Sequence, residues 1–147
     1  MMKITLVLCC VAVTFSNVYA VTEEEKAAFK EAIQPVVSEC SETHGVSPDD
    51  IDAAKTAGAT NTINPCFLGC VFKKTQVINE KGDYDLGKGL DKLKSFVKSD
   101  SDLAKFEEIG KQCVSVNDQA VSDAEAGCER AKLLLSCFLE HKAEIPL

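Results

Sequence analysis

Cys128-Glu129-Arg130-Ala131-Lys132-Leu133-Leu134-Leu135-Ser136-Cys137-Phe138-Leu139 sets two cysteines nine positions apart and ends in a run that is apolar on every side. A surface helix shows an apolar stripe backed by charge, whereas apolar residues all round mark a helix surrounded by protein. At about 100° per residue, Cys128 and Cys137 point to opposite sides, and about 13 Å separates them along the axis. They cannot bond to each other, because a disulfide needs Cβ atoms about 3.8 Å apart. The stretch predicts a buried helix, tied to different neighbours on its two flanks, in the middle of the fold.

Working outward, the chain begins with a segment that reads as a leader. Met1–Lys3 give a positive start, Ile4–Phe15 is an almost unbroken apolar run, and Val18-Tyr19-Ala20 ends on a small residue. That is the pattern of a secretory signal peptide, and the run is shorter than the roughly twenty apolar residues of a membrane span. Residues 1–20 are therefore expected to be removed, leaving 21–147 as one domain in a secreted, extracellular protein. The formal net charge of −7 becomes −8 once Lys3 leaves, and Arg130 is the only arginine. A protein that neutralises phosphates needs a basic face, so nucleic acid and anionic membrane are excluded as expected partners. The acidity reads as solubility.

Cys9 and Cys10 go with the leader, which leaves Cys40, Cys66, Cys70, Cys113, Cys128 and Cys137. An even number in a small secreted chain reads as a disulfide framework. Metal binding fits less well, since His44 and His141 lie far in sequence from the Cys66/Cys70 pair. Cys66 and Cys70 share a helix face with Cβ atoms about 5–6 Å apart, too far for a bond. Excluding that pair and Cys128/Cys137 leaves ten of the fifteen possible pairings, and local geometry goes no further.

The pattern is helical from end to end, with no strand signal of comparable strength. Thr22–Glu25 is a capping box ahead of Phe29, Ile33, Val36/Val37 and Cys40 at helical spacing. Pro35 is expected to kink or split this helix. Ser47-Pro48 opens a second helix to about Thr56, and Gly58–Asn61 is a loop. Asn64-Pro65 opens a third, expected to close at Lys81-Gly82. Asp85 caps a fourth with the stripe Leu86, Leu90, Leu93, Val97, weakened by Gly87 and Gly89, for which close packing is one explanation. Ser99–Ser101 precedes a fifth helix carrying Leu103, Phe106, Ile109 and Cys113. After a connector, Ser122–Glu125 is a capping box expected to open the sixth, ending near Glu140. The expectation is an all-α fold of six short helices around an apolar cavity.

Catalysis finds no constellation to stand on. The secreted helical phospholipases would show a Cys-Cys-x-x-His calcium and histidine site, which this chain lacks, and it has neither a phosphate-binding glycine loop nor EF-hand spacing. No enzyme activity, cofactor or metal is expected. The surplus of apolar residues is the stronger signal. Phe67, Leu68, Val71, Phe72, Ile78, Leu90, Phe96, Phe106, Leu134 and Phe138 are each, taken singly, core residues first. Yet short helices around one buried helix are hard to fill without a gap. A shell carrying disulfides worth typically about 2–4 kcal/mol each tolerates a cavity, which is a small-molecule site.

The spacing Cys40-x25-Cys66-x3-Cys70-x42-Cys113-x14-Cys128-x8-Cys137, with the discriminating x3 and x8 gaps and the wording Cys66-Phe67-Leu68-Gly69-Cys70, resembles the six-cysteine signature of insect odorant-binding proteins, the pheromone-binding and general odorant-binding family. The resemblance covers the whole chain beyond the leader. It implies six helices around an apolar pocket and the interlocked pairing Cys40–Cys70, Cys66–Cys128 and Cys113–Cys137. It further implies a carrier of a small apolar volatile ligand through aqueous lymph or another secretion, a membrane odorant receptor as a further partner, and a monomer or weak homodimer. Pocket positions of the family correspond to Leu68, Phe72 and Phe138, with Ile33 where an aromatic residue is common. Val71, Leu90, Phe106 and Leu134 join them as apolar candidates. Ile145 and Leu147, in a short tail stiffened by Pro146, are expected to fold over the pocket, with His141 at the tail's base. Ser136, Tyr84 and Ser95 are candidates for a polar contact. The alternative is a secreted helical signalling protein acting through its surface, which an exposed apolar patch and no cavity would favour.

Overall fold

The computed structural model describes residues 21–58 and 62–145. The leader expected at residues 1–20 and the tail residues Pro146 and Leu147 lie outside them. In chain order the helices are α1 (Glu23–His44), α2 (Pro48–Ala57), α3 (Pro65–Lys74), α4 (Leu86–Lys94), α5 (Asp100–Cys113) and α6 (Cys128–Glu140), with 3₁₀ turns at Val114–Asp118, Ala124–Ala126 and Lys142–Glu144. Among the described residues the only extended pairing is an isolated bridge between Ile78 and Tyr84.

The caps read from the sequence mostly form. Thr22 and Glu25 exchange their side-chain and backbone hydrogen bonds at the start of α1 (2.9 and 3.1 Å). Ser47 and Asp50 do the same for α2 (2.9 and 3.1 Å), and Asp85 accepts from the Lys88 N–H on α4 (3.0 Å). Three elements depart from expectation. Pro35 does not split α1, which runs unbroken for 22 residues. Pro35 and Glu31, whose carbonyl loses its donor, are both exposed, so that carbonyl faces water rather than an apolar core.

The third helix stops at Lys74, not at Lys81-Gly82. Gln76 takes a left-handed φ of 63°, and the Thr75 hydroxyl donates back to the Val71 and Phe72 carbonyls (2.9 and 3.2 Å). Beyond that stop the chain reverses through a loop pinned by Asn79, whose side-chain oxygen accepts from the Lys81 and Asp83 N–H groups (2.9 and 3.0 Å). The sixth helix opens at Cys128, five residues after Asp123, and the Ser122–Glu125 box does not form. Gly127, with φ 74°, breaks the path. Asp123 instead accepts from the Cys128 and Glu129 N–H groups (2.8 and 3.1 Å), and Glu129 reaches back to the Ser122 N–H (2.7 Å).

Three disulfides join the helices: Cys40–Cys70 links α1 to α3, Cys66–Cys128 links α3 to α6, and Cys113–Cys137 links α5 to α6. Helices α3 and α6 form the central pair, with α1 against the other side of α3, and α5 bridging α4 to α6. The sixth helix is central but not buried on every side. Arg130, Ala131 and Leu134 are buried, whereas Leu133, Leu135 and Ser136–Leu139 are half-buried and Lys132 and Glu140 exposed. Arg130 donates from Nη1 to the Val116 and Gln119 carbonyls, the second at 2.8 Å. The lone arginine thus ties the connector after α5 onto α6.

Close packing is not the reason for the glycines of α4. A methyl group at Gly87 would meet only the Asp85 carboxylate at 3.6 Å, and one at Gly89 only Val77 at 4.0 Å. With ordinary helical backbone and open space, Gly87→Ala is expected to stabilise the fold by about 0.5–1 kcal/mol. Thermal unfolding of the two proteins measures this; a lower midpoint for the variant would contradict the packing just described.

Candidate functional site

Helix α4 has its apolar residues on one face, yet none of its residues is buried. Leu86, Leu90 and Leu93 lie at i, i+4 and i+7, the spacing that normally presses a helix against a core. Here they face a cavity of about 430 Å³. Four further groups of residues border it. From α1 come Phe29, Ala32, Ile33 and Val36; from the end of α3 and the following loop, Val71, Phe72, Thr75, Val77 and Tyr84; from α5, Phe106, Ile109 and Gly110; and from the C-terminal side, Phe138 and Ile145. Lys74 and Lys92 also border it, with Lys74 paired to Glu39 (2.9 Å).

Of the residues singled out from the sequence, Ile33, Val71, Phe72, Leu90, Phe106, Phe138 and Ile145 border this space. Leu68 and Leu134 do not. Both are buried in the main hydrophobic cluster, Leu134 completely. The cavity starts at Val71, one turn past Leu68, so the α3 stripe is divided between core and cavity. Leu147 lies outside the described residues. Of the polar candidates, Tyr84 borders the cavity and Ser95 and Ser136 do not. Sequence reasoning missed Phe29, Val36, Val77, Leu86, Leu93 and Ile109. The regular spacing of Leu86 with Leu90 and Leu93 was the available signal.

Phe29 and Phe96 meet edge to face at the rim, ring centres 5.4 Å apart. Phe29 is 42% exposed. Next to this pair, Glu25 clamps α1 to the segment after α4. One carboxylate oxygen accepts from the Lys98 N–H (2.9 Å) and the other from the Thr22 N–H (2.9 Å). The Thr22 bond, then the Lys98 bond, hold the Glu25 carboxyl below its ordinary value of 4.5. His141 pairs with Glu144 (3.1 Å). It lies close to the Cys113–Cys137 sulfurs, which are committed to their disulfide. Neither histidine borders the cavity. Among the described residues no helix is long and apolar enough to cross a membrane.

The described residues thus form a small all-helical fold stapled by three disulfides and bordering an apolar cavity. The sequence pattern of the PBP/GOBP family matches residues 22–141, and the chain belongs to that family. The fold resembles a solved structure of the odorant-binding protein dmelOBP28a from Drosophila melanogaster, at 22% identity over 81% of this chain and 95% of that one, with a TM-score of 0.59. No curated protein matches the sequence.

The Glu25 clamp makes acid sensitivity testable. Its folded pKa lies below the unfolded one, so its stabilisation is complete above about pH 4.5 and is lost as pH falls through the lowered folded value. Glu25→Gln is expected to be less stable than the parent at about pH 6, with the gap narrowing as the pH is taken below about 4.5. Denaturant unfolding at the two pH values measures it. A gap independent of pH would show that the charge on Glu25 contributes nothing.

Proposed function

We propose that this protein is a secreted carrier that holds a small hydrophobic molecule, of odorant or pheromone type, in its apolar cavity and moves it through an aqueous extracellular fluid. The observation that supports this most is the face of α4. An apolar stripe turned toward a void costs the dispersion contacts that a packed core would supply. A ligand restores them and removes its own apolar surface from water at about 25 cal/mol per Å² gross. The volume lies within the range of about 300–1,000 Å³ usual for small-molecule sites. Family membership points the same way, and the similar Drosophila protein carries an odorant-binding name.

In this reading Ile33, Val71, Phe72, Leu90, Phe106 and Phe138 contact the ligand. Leu68 and Leu134 act behind them, fixing α3 and α6. Removal of residues 1–20 on secretion belongs to the same proposal. So does closure of the cavity by the tail: Ile145 already borders it, and Leu147 would extend the cover. A surface-acting signalling protein has less support. Among the described residues the exposed large hydrophobics are Phe29 and Val114, and Phe29 belongs to the cavity rim.

The test uses an apolar fluorescent probe, N-phenyl-1-naphthylamine, displaced by candidate volatiles, in the full chain and in a chain lacking residues 143–147. Saturable binding with displacement is expected. Truncation is expected to weaken it several-fold, since a share of the roughly 1.5–3 kcal/mol for burying one such side chain is lost at about 1.4 kcal/mol per tenfold. Release should quicken more than uptake slows. Absence of saturable binding would overturn the carrier reading. Equal affinity and release rate in the two chains would overturn the tail closure alone.

A further inference from the structure

Among the described residues the cavity wall contains two hydroxyl groups, and they are not equivalent. The Thr75 hydroxyl spends its hydrogen inside α3, on the Val71 and Phe72 carbonyls. The Tyr84 side chain makes no hydrogen bond among the described residues, although Tyr84 is only 7% exposed and borders the cavity. The ring is buried while the residue borders the cavity, and the hydroxyl is not among the sealed-off unpartnered polar atoms; Tyr is normally placed where its O–H finds a partner. Something outside the protein chain is expected to satisfy it.

The phenol is also built into place. The Asn117 side chain grips the Tyr84 backbone on both sides, accepting from its N–H (2.8 Å) and donating to its carbonyl (3.0 Å). Asn117 sits in the Val114–Asp118 turn that Arg130 holds through the Val116 and Gln119 carbonyls. The ring meets Phe138 edge to face, centres 6.0 Å apart. Gly110 leaves the room: a methyl group there would lie 3.1 Å from the Tyr84 oxygen and 2.5 Å from Leu86 Cδ1. Burial, and secondarily the Asp85 carboxylate, push the phenol up to about 12, so it stays a neutral donor.

Resting on the carrier reading, we propose that the Tyr84 hydroxyl is the specificity-determining contact of the cavity, donating a hydrogen bond to the neutral carbonyl oxygen of a ligand whose remainder is hydrocarbon. A ketone, aldehyde or ester answers this description. A carboxylate in the cavity would need a cation to pair with, and only two lysines border it among the described residues. Lys74 is paired with Glu39 and Lys92 is exposed to water, and an unpaired charge in an apolar wall is expensive. A plain alkane would fill the volume but leave the phenol unanswered.

The experiment compares 2-dodecanone with dodecane in the full protein and in Tyr84→Phe, which removes the hydroxyl and keeps the ring. The readouts are the ratio of the two affinities and the infrared carbonyl stretch of the bound ketone. Ketone is expected to be favoured in the parent, with the ratio falling about three- to tenfold in Tyr84→Phe. The stretch is expected to lie below its value in alkane solvent for the parent only. An alkane-like stretch in the parent alone would already exclude a hydrogen bond to the bound carbonyl, whether or not Tyr84→Phe folds. Binding of both probes with an unchanged ratio and an alkane-like stretch would overturn this role for Tyr84 and leave the carrier reading standing. Failure of both probes to bind would overturn the two together.

Discussion

The backbone of α3 lies against the first turn of α6 with a glycine at the contact, and the rest of the molecule is arranged around that approach. A methyl group at Gly69 would sit 3.1 Å from the Gly127 carbonyl oxygen and 3.3 Å from the Cys128 Cα, closer than side chains normally tolerate. Cys66 and Cys128 lock the contact, with Cα atoms 4.3 Å apart. Four residues on, Cys70 turns the same helix to α1. Neither bond could form within α3 itself, because cysteines one turn apart are too distant. The x3 spacing therefore forces α3 to serve two neighbours at once.

With α3 held at both cysteines, its last turn presents Val71, Phe72 and Thr75 to a space that α4 and α5 bound without filling. None of the three disulfides reaches α4. That helix is held by its Asp85 cap, by the bridge between Ile78 and Tyr84, and by packing on α5. The wall carrying Leu86, Leu90 and Leu93 is thus one without a covalent tie. Stability drawn from cross-links elsewhere does not depend on this wall being filled, which is how a small chain can keep a void of this size.

Much of this was legible in the sequence, and the failures have physical causes. Caps and cysteine spacing are local or covalent constraints, so Thr22, Ser47 and Asp85 could be read directly. The resemblance carried by the x3 and x8 gaps supplied the pairing that geometry left open. Helix ends set by an unusual φ were not readable: Gln76 carries no glycine-like signal, and Gly127 follows two residues after a plausible capping box, Ser122–Glu125. Division of an apolar stripe between core and cavity depends on what lies opposite. Leu68 and Val71 look alike in sequence and both join the buried cluster, but only Val71 also borders the cavity. Arg130 and Asn117, which hold Tyr84 through the connector, act over distances in sequence that no local pattern records.

The central claim is that a ligand occupies the space under α4. Methyl-labelled protein titrated with a 2-alkanone, with intermolecular nuclear Overhauser effects recorded in solution, addresses it directly. Contacts are expected from the ligand chain to the methyl groups of Ile33, Val71, Leu90, Leu93 and Ile145, with none to Leu68 or Leu134. Contacts confined to the exposed Val114 methyls, or to Leu68 and Leu134 instead of Leu90 and Leu93, would contradict it.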